Sequence, residues 1–319
     1  MTRMSNARTR DTEAWVAGEV LIDLIPDGGG GRRRIVGGGG ANTAKSLARL
    51  GVRTAFIDGI PGDEYGVEAR AELERSGVDL SLAHVSTRPT ALAEVTLDGA
   101  GNASYAFRLH DTATFDFAAE WLPRGAPAAL HVGTLATIVA PGCDALHAWA
   151  GALAAPVVFD PNIRPSVLGD RTAYRAAVAR WITISDVVKF SDDDLGWLHP
   201  EVDGLNDAIA LVRAVLAHRP RLVVITRGEA GLVGVTRDRV LEIVGVPTTV
   251  ADTVGAGDTV GAVLVEGLLL HGLGGLCADP LAGVLERAAH AAAITCSRPG
   301  ADPPWADELA GVPKHSPLS

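Results

Sequence analysis

The chain has 319 residues, of which 28 are Lys or Arg and 38 are Asp or Glu, so its formal net charge at neutral pH is -10. Nucleic-acid binding requires a concentrated basic surface that neutralises phosphates, and the only dense basic run is Arg32-Arg33-Arg34. We therefore expect no nucleic-acid partner. Hydrophobic residues make up 47% and charged residues 21% of the chain, which is typical of a soluble globular protein.

The cysteines and the N-terminal residues indicate the compartment. Cys143, Cys277 and Cys296 are far apart, odd in number and without C-x-x-C spacing, which predicts neither disulfides nor a zinc site. Residues 1–13 lack the apolar segment of a signal peptide, and no run approaches 18 uninterrupted apolar residues. We expect a cytoplasmic protein without a membrane partner, in which residues 1–13 form a disordered tail.

Apolar strand patterns and helical patterns alternate along most of the chain. An alternating run from Trp15 to Ile25 predicts a strand, and the glycines at 37–40 lead into a helix that ends at Gly51. The later predicted strands are 54–60, 128–135, 156–160, 186–190, 221–226, 231–235 and 240–246. The later predicted helices are 64–77, 144–154, 171–182, 193–198, 207–218 and about 258–270. This alternation predicts an α/β, doubly wound fold with a mainly parallel sheet and helices on both faces, over residues 14–305, followed by a C-terminal tail at 306–319.

One segment departs from this alternation. Residues 90–109 have the pattern of two strands around a turn at Gly99–Gly101, so they predict a hairpin rather than a strand–helix–strand unit. We expect lid strands near 18–37 and 89–110 to form a small β-sheet that stands off the main domain. Such a sheet exposes strand edges, and pairing of two lids predicts a homodimer.

A glycine-rich motif at 250–262, VADTVGAGDTVGA, precedes the apolar helix near 258–270. Gly255 and Gly257 permit close backbone approach, and the unpaired amides of Gly255, Ala256 and Gly257 at the helix start suit an anion. Asp258 lies in the first helical turn, where it is either an ordinary capping residue or a base. A carboxylate beside an anion-binding loop can accept a hydroxyl proton during phosphoryl transfer, so the motif predicts Asp258 as the base.

The motif resembles the C-terminal signature of the ribokinase or PfkB family of carbohydrate kinases. The glycine run resembles the other signature, through Gly37, Gly38, Ala41, Asn42, Ala44 and the LARLG segment at 47–51. The similarity covers roughly Val16 to Pro304 in the family's order. GEVLIDLIP at 18–26, FDPNIRPSVL at 159–168, DVVKFSDDDLGWL at 186–198 and CSRPGADPP at 296–304 are most similar to bacterial fructokinases. The resemblance implies a ribokinase-like fold and an ATP- and Mg²⁺-dependent kinase of a sugar primary hydroxyl, with fructose O6 as the expected acceptor.

The resemblance also implies the residues of each subsite. Asp258 is the expected base, with the amides of Gly255, Ala256 and Gly257 as the anion hole. The sugar-binding residues implied are Asp23, Gly38, Asn42, Asn162 and Arg164. The nucleotide-binding residues implied are Lys189, Thr226, Gly228, Gly231 and His290; a histidine on this Ala-rich helix could instead pack against its neighbours.

Two ion sites are also implied by the resemblance. Lys189-Phe-Ser-Asp192 stands where the family has N-x-x-E, so Asp192 is expected to contact Mg²⁺ through water, with Asp193 or Asp194 as alternatives. Asp252 and Val254, with backbone groups near Ser297 and Gly300, match a loop that binds a monovalent cation in many relatives, which implies K⁺ activation.

Parts of the sequence also resemble motifs of other protein classes. Gly39-x4-Ala44-Lys45-Ser46 is close to a P-loop motif, but Ala44 replaces its glycine and no clear buried strand precedes it, which argues against a P-loop. The family resemblance instead implies that Lys45 lies at a helical surface position. No G-x-G-x-x-G follows a hydrophobic first strand, which argues against a dinucleotide-binding fold. The acceptor alternatives are 2-keto-3-deoxygluconate, ribose, tagatose and a nucleoside. A non-catalytic sugar-binding regulator on the same fold is a further alternative, although binding alone would not require Asp258.

Overall fold

A computed structural model describes residues 14–27, 29, 31–97 and 103–312. The predicted tail at 1–13, the predicted turn at 99–101 and residues 313–319 lie outside the described residues. The strands are β1 (Ala14–Ala17), β2 (Leu21–Pro26), β3 (Arg32–Gly37), β4 (Thr54–Ile57), β5 (Gly59–Pro61), β6 (His84–Ser86), β7 (Leu92–Leu97), β8 (Ala103–Arg108), β9 (Ala129–Gly133), β10 (Val157–Asp160), β11 (Val187–Ser191), β12 (Leu222–Thr226), β13 (Leu232–Val235) and β14 (Val240–Ile243). The α-helices are α1 (Gly39–Arg49), α2 (Glu64–Arg75), α3 (Gly142–Ala152), α4 (Arg171–Ile182), α5 (Asp192–Leu198), α6 (Leu205–Val215), α7 (Ala256–Leu276) and α8 (Pro280–Cys296).

The central sheet has eight strands in the order β14-β13-β12-β11-β10-β9-β1-β4. Pairing is parallel from β4 through β12 and antiparallel between β12, β13 and β14. One core cluster contains apolar residues of α1, α2, α7 and α8, and a second contains those of α3, α4, α5 and α6. The predicted doubly wound α/β fold with helices on both sheet faces is therefore confirmed.

A separate four-stranded sheet in the order β3-β2-β7-β8 forms the lid. The β7–β8 pair is antiparallel, as the hairpin prediction requires, and β2 pairs with β7 in parallel. Ala91 and Ala93 are buried on one side, whereas Thr96 is exposed, which agrees with the predicted alternation. A third, two-stranded sheet pairs β5 with β6.

The prediction of a single strand from Trp15 to Ile25 is wrong, because the structure has two strands in this segment. The chain forms β1 in the central sheet and β2 in the lid, with Gly18–Val20 as the crossover between them. At Gly18 the backbone approaches α1 so closely that an added Cβ would lie 2.8 Å from Gly40 Cα. Val20 donates its amide hydrogen to Asp58 Oδ2 at 2.8 Å instead of continuing the ladder. Sequence alternation alone does not reveal such a change of sheet.

Two further expectations need correction. Lys45 lies on α1 but is only 5% exposed, because its ammonium pairs with Glu72 at 2.8 Å between α1 and α2. The ordered domain also continues past residue 305. Ala306–Leu309 form a 3₁₀ helix whose Leu309 packs into the core, and Arg287 Nη1 donates to the Leu309 carbonyl at 3.3 Å. Apolar contact of Leu309 with the core explains why this segment is not a tail.

Helix α7 is long and apolar enough, by length and composition, to span a membrane. However, 61% of its most apolar window is buried inside the protein. Val263, Leu264 and Val265 are each at most 1% exposed. Helix α7 is apolar because it lies in the core, where it packs against α8.

Candidate active site

A cleft with a cavity volume of about 920 Å³ lies between the lid and the carboxyl-terminal ends of the central strands. Leu21, Asp23 and Phe107 line it from the lid, and Thr226 and Asp258 from the main domain. Ligands of open α/β sheets bind at this edge of the strands. The predicted site residues that line the cleft are Asp23, Gly38, Asn42, Asn162, Arg164, Lys189, Asp192, Thr226, Asp252, Gly255, Gly257 and Asp258.

Asp258 lies at the third position of α7, as predicted, and is 6% exposed. Asn42 Nδ2 donates to its Oδ2 at 2.9 Å, and Asn162 Nδ2 donates to its Oδ1 at 3.4 Å. The two amides come from the first turn of α1 and from the loop after β10, so Asn42 and Asn162 hold the carboxylate in a fixed orientation. A carboxylate held in this way at the cleft surface can accept a proton from a bound hydroxyl.

The surroundings of Asp258 raise its pKa to about 7. Burial is the largest cause, and repulsion by Asp160 adds to it. The hydrogen bond from Asn42 and the positive charges of Lys189 and Arg164 act in the opposite direction. A general base is most effective when its pKa lies near the working pH, so this environment suits proton abstraction near neutrality.

The amides before Asp258 are oriented by Gly255, which caps α7 in the left-handed conformation at φ 80°. An added Cβ there would lie 2.6 Å from Ala301 Cβ, so glycine is required both by conformation and by space. The Ala256 amide donates a long bond of 3.3 Å to the Thr253 carbonyl. Within the described part of the chain, no hydrogen bond to another protein group is recorded for the amides of Gly255 and Gly257, which leaves them available to an anion.

Lys189 lies in β11 beneath the start of α7. Its ammonium pairs with Asp160 Oδ2 at 3.0 Å, and both side chains are at most 4% exposed. A Cβ added at Gly257 would lie 2.8 Å from Lys189 Nζ, so the absence of a side chain admits the ammonium directly below the glycine loop. Burial opposes the charge, but the attraction of Asp160 and Asp194 outweighs it and raises the pKa of Lys189. The cation is therefore kept beside the amides, although one of its hydrogen bonds is committed to Asp160.

Asp23 enters the cleft from the lid strand β2. Burial raises its pKa to about 6, and Arg164 partly offsets this effect. A Cβ at Gly37 would lie 2.4 Å from Asp23 Oδ2, so the carboxylate occupies the space that the glycine leaves open. Gly38 caps α1 at φ 102°, and its backbone passes so close to Glu19 that only glycine fits. The predicted sugar-side residues Asp23, Gly38 and Asn42 thus line one end of the cleft.

Sequence reasoning missed two buried acids at this end. Glu19 accepts hydrogen bonds from Thr134 Oγ1 and from the Gly39 amide at 2.9 Å. Asp58 accepts from the amides of Val20 at 2.8 Å and Gly59 at 2.7 Å. Burial is the main cause that raises the pKa of both carboxyls. Each acid stands directly after or before a glycine at the end of an apolar strand run, which is the sequence signal that could have found them.

Asn162 and Arg164 follow β10, where the prediction placed them. Asn162 is in the left-handed region at φ 41°, and its amide donates to Asp160 Oδ1 at 3.2 Å. Arg164 Nη1 donates to the Ile163 carbonyl at 3.0 Å, and its exposed guanidinium lines the cleft. Its charge lowers the pKa of both Asp23 and Asp258. Arg164 therefore acts electrostatically on both of these carboxyl groups.

The other end of the cleft contains Thr226 at the end of β12 and Asp192 at the start of α5. Asp192 is exposed, as is Asp193. The sequence left Asp194 open as an alternative to Asp192, but both of its carboxylate oxygens accept backbone hydrogen bonds. Its Oδ1 accepts from the Ile163 amide at 2.7 Å, and its Oδ2 accepts from the Ser191 amide at 2.8 Å. Of the three consecutive acids, only Asp192 and Asp193 present carboxylates that are open to the cleft.

Asp252 joins the two loops expected to bind a monovalent cation. Its Oδ1 accepts from the Val254 amide at 3.0 Å, and its Oδ2 accepts from the Gly300 amide at 2.9 Å. The amides of 251 and 252 donate to the Cys296 carbonyl. The predicted neighbourhood of Asp252, Val254 and Gly300 is present at one wall of the cleft.

Three predicted nucleotide-binding residues do not line the cleft. Gly231, at φ 93°, packs its Cα against the backbone of Ile243 and Gly245, and Gly228 begins a short 3₁₀ helix. His290 Nδ1 bonds to the Glu286 carbonyl at 2.9 Å within α8. This bond stays within one helix and involves no residue of the cleft. The role of His290 at the nucleotide therefore stays a prediction.

Among the described residues, no cluster of three or more His, Cys, Asp and Glu side chains could hold a metal ion. The exposed carboxylates of Asp192 and Asp193 nevertheless fit Mg²⁺ that is carried by a nucleotide. Magnesium usually keeps several waters and takes one or two carboxylates together with substrate phosphates, rather than a protein cage.

Comparison with known proteins agrees with this geometry. The model of the "pfkB family carbohydrate kinase" matches residues 11–308. A fructokinase from Rhizobium leguminosarum bv. trifolii is 39% identical over 264 residues, which cover 80% of this chain and 79% of the relative. A fructokinase from Klebsiella pneumoniae is 31% identical over 265 residues, which cover 81% of this chain and 85% of the relative.

Solved structures share the fold. A double mutant of fructokinase from Vibrio cholerae O395, in a form with fructose, ADP and potassium ion bound, superposes with a TM-score of 0.79 at 26% identity, covering 91% of this chain and 94% of that one. A fructokinase from Xylella fastidiosa with bound ATP has the same fold, with a TM-score of 0.84 at 24% identity over 94% and 98% of the two chains. The chain belongs to the pfkB family of carbohydrate kinases, phosphotransferases that act on a sugar hydroxyl.

Proposed function

We propose that the protein transfers the γ-phosphoryl group of ATP to the primary O6 hydroxyl of fructose. The observation that carries the proposal is the position of Asp258: a buried carboxylate with a pKa raised to about 7, held by two amide side chains beside the start of α7. The 39% identity to a fructokinase supports fructose as the acceptor.

In the proposed reaction, Asp258 accepts the proton of the acceptor hydroxyl as that oxygen attacks the γ-phosphorus. The amides of Gly255, Ala256 and Gly257 receive the negative charge that develops on the transferring group, which is the electrostatic role of an anion hole. Lys189 keeps a positive charge beneath this loop and is paired with Asp160 at 3.0 Å. The long Ala256–Thr253 bond of 3.3 Å would give way to the stronger contact with phosphate.

The sugar is proposed to bind between the lid and α1. Asp23 accepts hydrogen bonds from sugar hydroxyls. Asn42 and the Gly38 backbone line the same side of the sugar-binding site, and Asn162 and Arg164 line its other side. Closure of the lid over the sugar excludes water from the phosphoryl group and so limits ATP hydrolysis.

The nucleotide is proposed to occupy the end of the cleft at Thr226, which is followed along the chain by the turn at Gly228–Gly231. Lys189 contacts a phosphate as a point charge. Asp192, or its neighbour Asp193, would hold Mg²⁺ through water, and the ion would neutralise phosphate charges when bound.

We further propose three properties of the whole protein. A monovalent cation, K⁺, binds at the loop of Asp252; the potassium-bound Vibrio fructokinase structure supports this assignment. Two lids pair through their exposed strand edges to form a homodimer. The protein acts in the cytoplasm on small molecules.

An ADP-release assay coupled to NADH oxidation tests the acceptor. Fructose, ribose, tagatose, 2-keto-3-deoxygluconate and a nucleoside are compared at equal concentration, with 6-deoxyfructose as the matched control that lacks the acceptor oxygen. We expect the highest kcat/KM with fructose and no turnover with 6-deoxyfructose. A higher kcat/KM with another acceptor would reassign the substrate, and intact ATP binding without turnover of any acceptor would favour the regulatory alternative.

A further inference from the structure

A second cavity, of about 500 Å³, lies outside the catalytic cleft. It is lined by the lid strands β2 and β3 on one side and by α1, α2 and the segment 299–305 on the other. Ile25, Ile35, Asp252 and Gly300 line both this cavity and the cleft. The two spaces therefore share a wall made of lid residues and of the loop that contains Asp252.

The acidic side chains of the second cavity are already engaged. Glu72 pairs with Lys45 at 2.8 Å, and Asp302 pairs with Arg49 at 2.6 Å. Both carboxylate oxygens of Asp252 accept backbone amides. None of these acids is open to neutralise a further cation in the cavity.

Two arginines of the same cavity, Arg33 and Arg75, have no acidic partner among the residues that the structure describes. The contrast along β3 is direct, because Arg32 pairs with Glu94 and Arg34 with Glu64, both at 3.0 Å. Arg75 uses only its Nε, which donates to the Ala71 carbonyl at 3.1 Å. The middle arginine of the basic triplet thus faces the cavity with Arg75, while its neighbours are neutralised.

The remaining walls suit the organic part of a small ligand. Trp305 is 45% exposed, and one face of its indole is covered by the Arg49 guanidinium, which lies 5.0 Å from a ring centroid. Ile25 and Ile35 supply an apolar surface from the lid. A free guanidinium group can form two parallel hydrogen bonds with a phosphate group. The two guanidinium groups of the cavity therefore favour a ligand that carries a negatively charged phosphate.

We propose that this cavity is a regulatory site for a small phosphate monoester, whose phosphate is bound by Arg33 of the lid and Arg75 of the main domain. Because Arg33 lies on lid strand β3 and Arg75 ends helix α2 of the main domain, a bound phosphate links the lid to the main domain. Occupancy therefore stabilises the lid position that forms the sugar side of the cleft, and the KM for sugar falls. By linkage, bound sugar strengthens phosphate-monoester binding by the same factor.

Isothermal titration calorimetry tests the site. The cleft is first filled with saturating sugar, Mg²⁺ and a non-hydrolysable ATP analogue, and the protein is then titrated with glycerol 3-phosphate, inorganic phosphate or glycerol. We expect glycerol 3-phosphate to bind, inorganic phosphate to bind more weakly and glycerol not to bind. Arg33→Gln and Arg75→Gln should each weaken glycerol 3-phosphate binding by about tenfold or more, the effect of losing one charge-assisted contact.

The control variant is Arg213→Gln, which removes an exposed arginine from α6 on the other face of the sheet. Equal weakening by Arg213→Gln, or no weakening by the two cavity variants, would overturn the site. Glycerol 3-phosphate should also lower the sugar KM by about fivefold in the wild type but not in Arg33→Gln/Arg75→Gln. An unchanged wild-type KM with intact binding would overturn the regulatory role. The titration does not depend on turnover, so failure of the acceptor assignment remains separate from failure of the site.

Discussion

Replacement of Asp258 by Asn tests the base directly. Asn is nearly isosteric with the protonated carboxyl group, but it cannot accept the hydroxyl proton. Loss of a general base costs about 100- to 10,000-fold in rate, so we expect kcat to fall within this range. With a pKa of about 7, roughly a tenth of Asp258 is ionised at pH 6 and half at pH 7. The wild-type kcat/KM should therefore rise about tenfold per pH unit below pH 7 and level off above it.

The same substitution should increase stability at alkaline pH. The pKa of Asp258 is raised from 3.8 to about 7, so the folded protein favours the neutral carboxyl. Its stabilising contribution is complete below pH 3.8 and is lost as the pH rises to about 7. The three-unit shift corresponds to at most about 4 kcal/mol. We expect Asp258→Asn, which is always neutral, to unfold at a higher urea concentration than the wild type at pH 8.

Two measurements check these expectations. Steady-state kinetics between pH 5.5 and 8.5 give kcat and kcat/KM, and urea denaturation followed by circular dichroism gives the free energy of unfolding. Asp203→Asn, at an exposed surface position, is the matched control and should change neither quantity. Near-wild-type turnover of a folded Asp258→Asn protein, or a wild-type kcat/KM that is flat from pH 5.5 to 8.5, would refute the role of Asp258.

Three other substitutions test the rest of the site. Asp23→Asn removes the charged acceptor of the lid and should raise the sugar KM about tenfold with the ATP KM unchanged; an unaltered sugar KM would exclude a role in sugar binding. Lys189→Met leaves Asp160 buried without its cation, so urea unfolding should show a loss of about 3–5 kcal/mol. The double variant Lys189→Met/Asp160→Asn should recover most of that stability, and a double variant as unstable as the single one would contradict the buried pair. His290→Ala should leave the ATP KM within about twofold of the wild type, as expected for a residue without a ligand contact; a large increase would place α8 at the nucleotide.

The sequence was sufficient for much of the fold because its signals are local. The alternation of apolar runs and helical patterns predicted the order of elements from β9 through α7, and the 90–109 pattern predicted the lid hairpin. The crossover at Gly18–Val20 was missed because the close approach of Gly18 to Gly40 joins residues that are distant in sequence. A strand that changes sheets keeps the same local alternation.

The site was predicted unevenly for a related reason. Asp258 and Asn42 belong to sequence motifs, and the structure brings their side chains within 2.9 Å. The Lys189–Asp160 pair needs the register of two neighbouring strands, which sequence patterns do not specify. His290 was assigned from its helix alone, but whether it lines the cleft depends on how α8 is placed in the core, which sequence patterns do not specify.

The division of the cleft between two sheets has an evolutionary consequence. Asp258 and Lys189 are built on the central sheet and its core helix, where substitutions disturb close packing. Leu21, Asp23 and Phe107 reach the same cleft from the lid. Under the proposed mechanism, exchanges in the lid can select a new acceptor while the phosphoryl-transfer groups stay fixed. A single ancestral chain could thus diverge into kinases of different substrates by changing one small sheet.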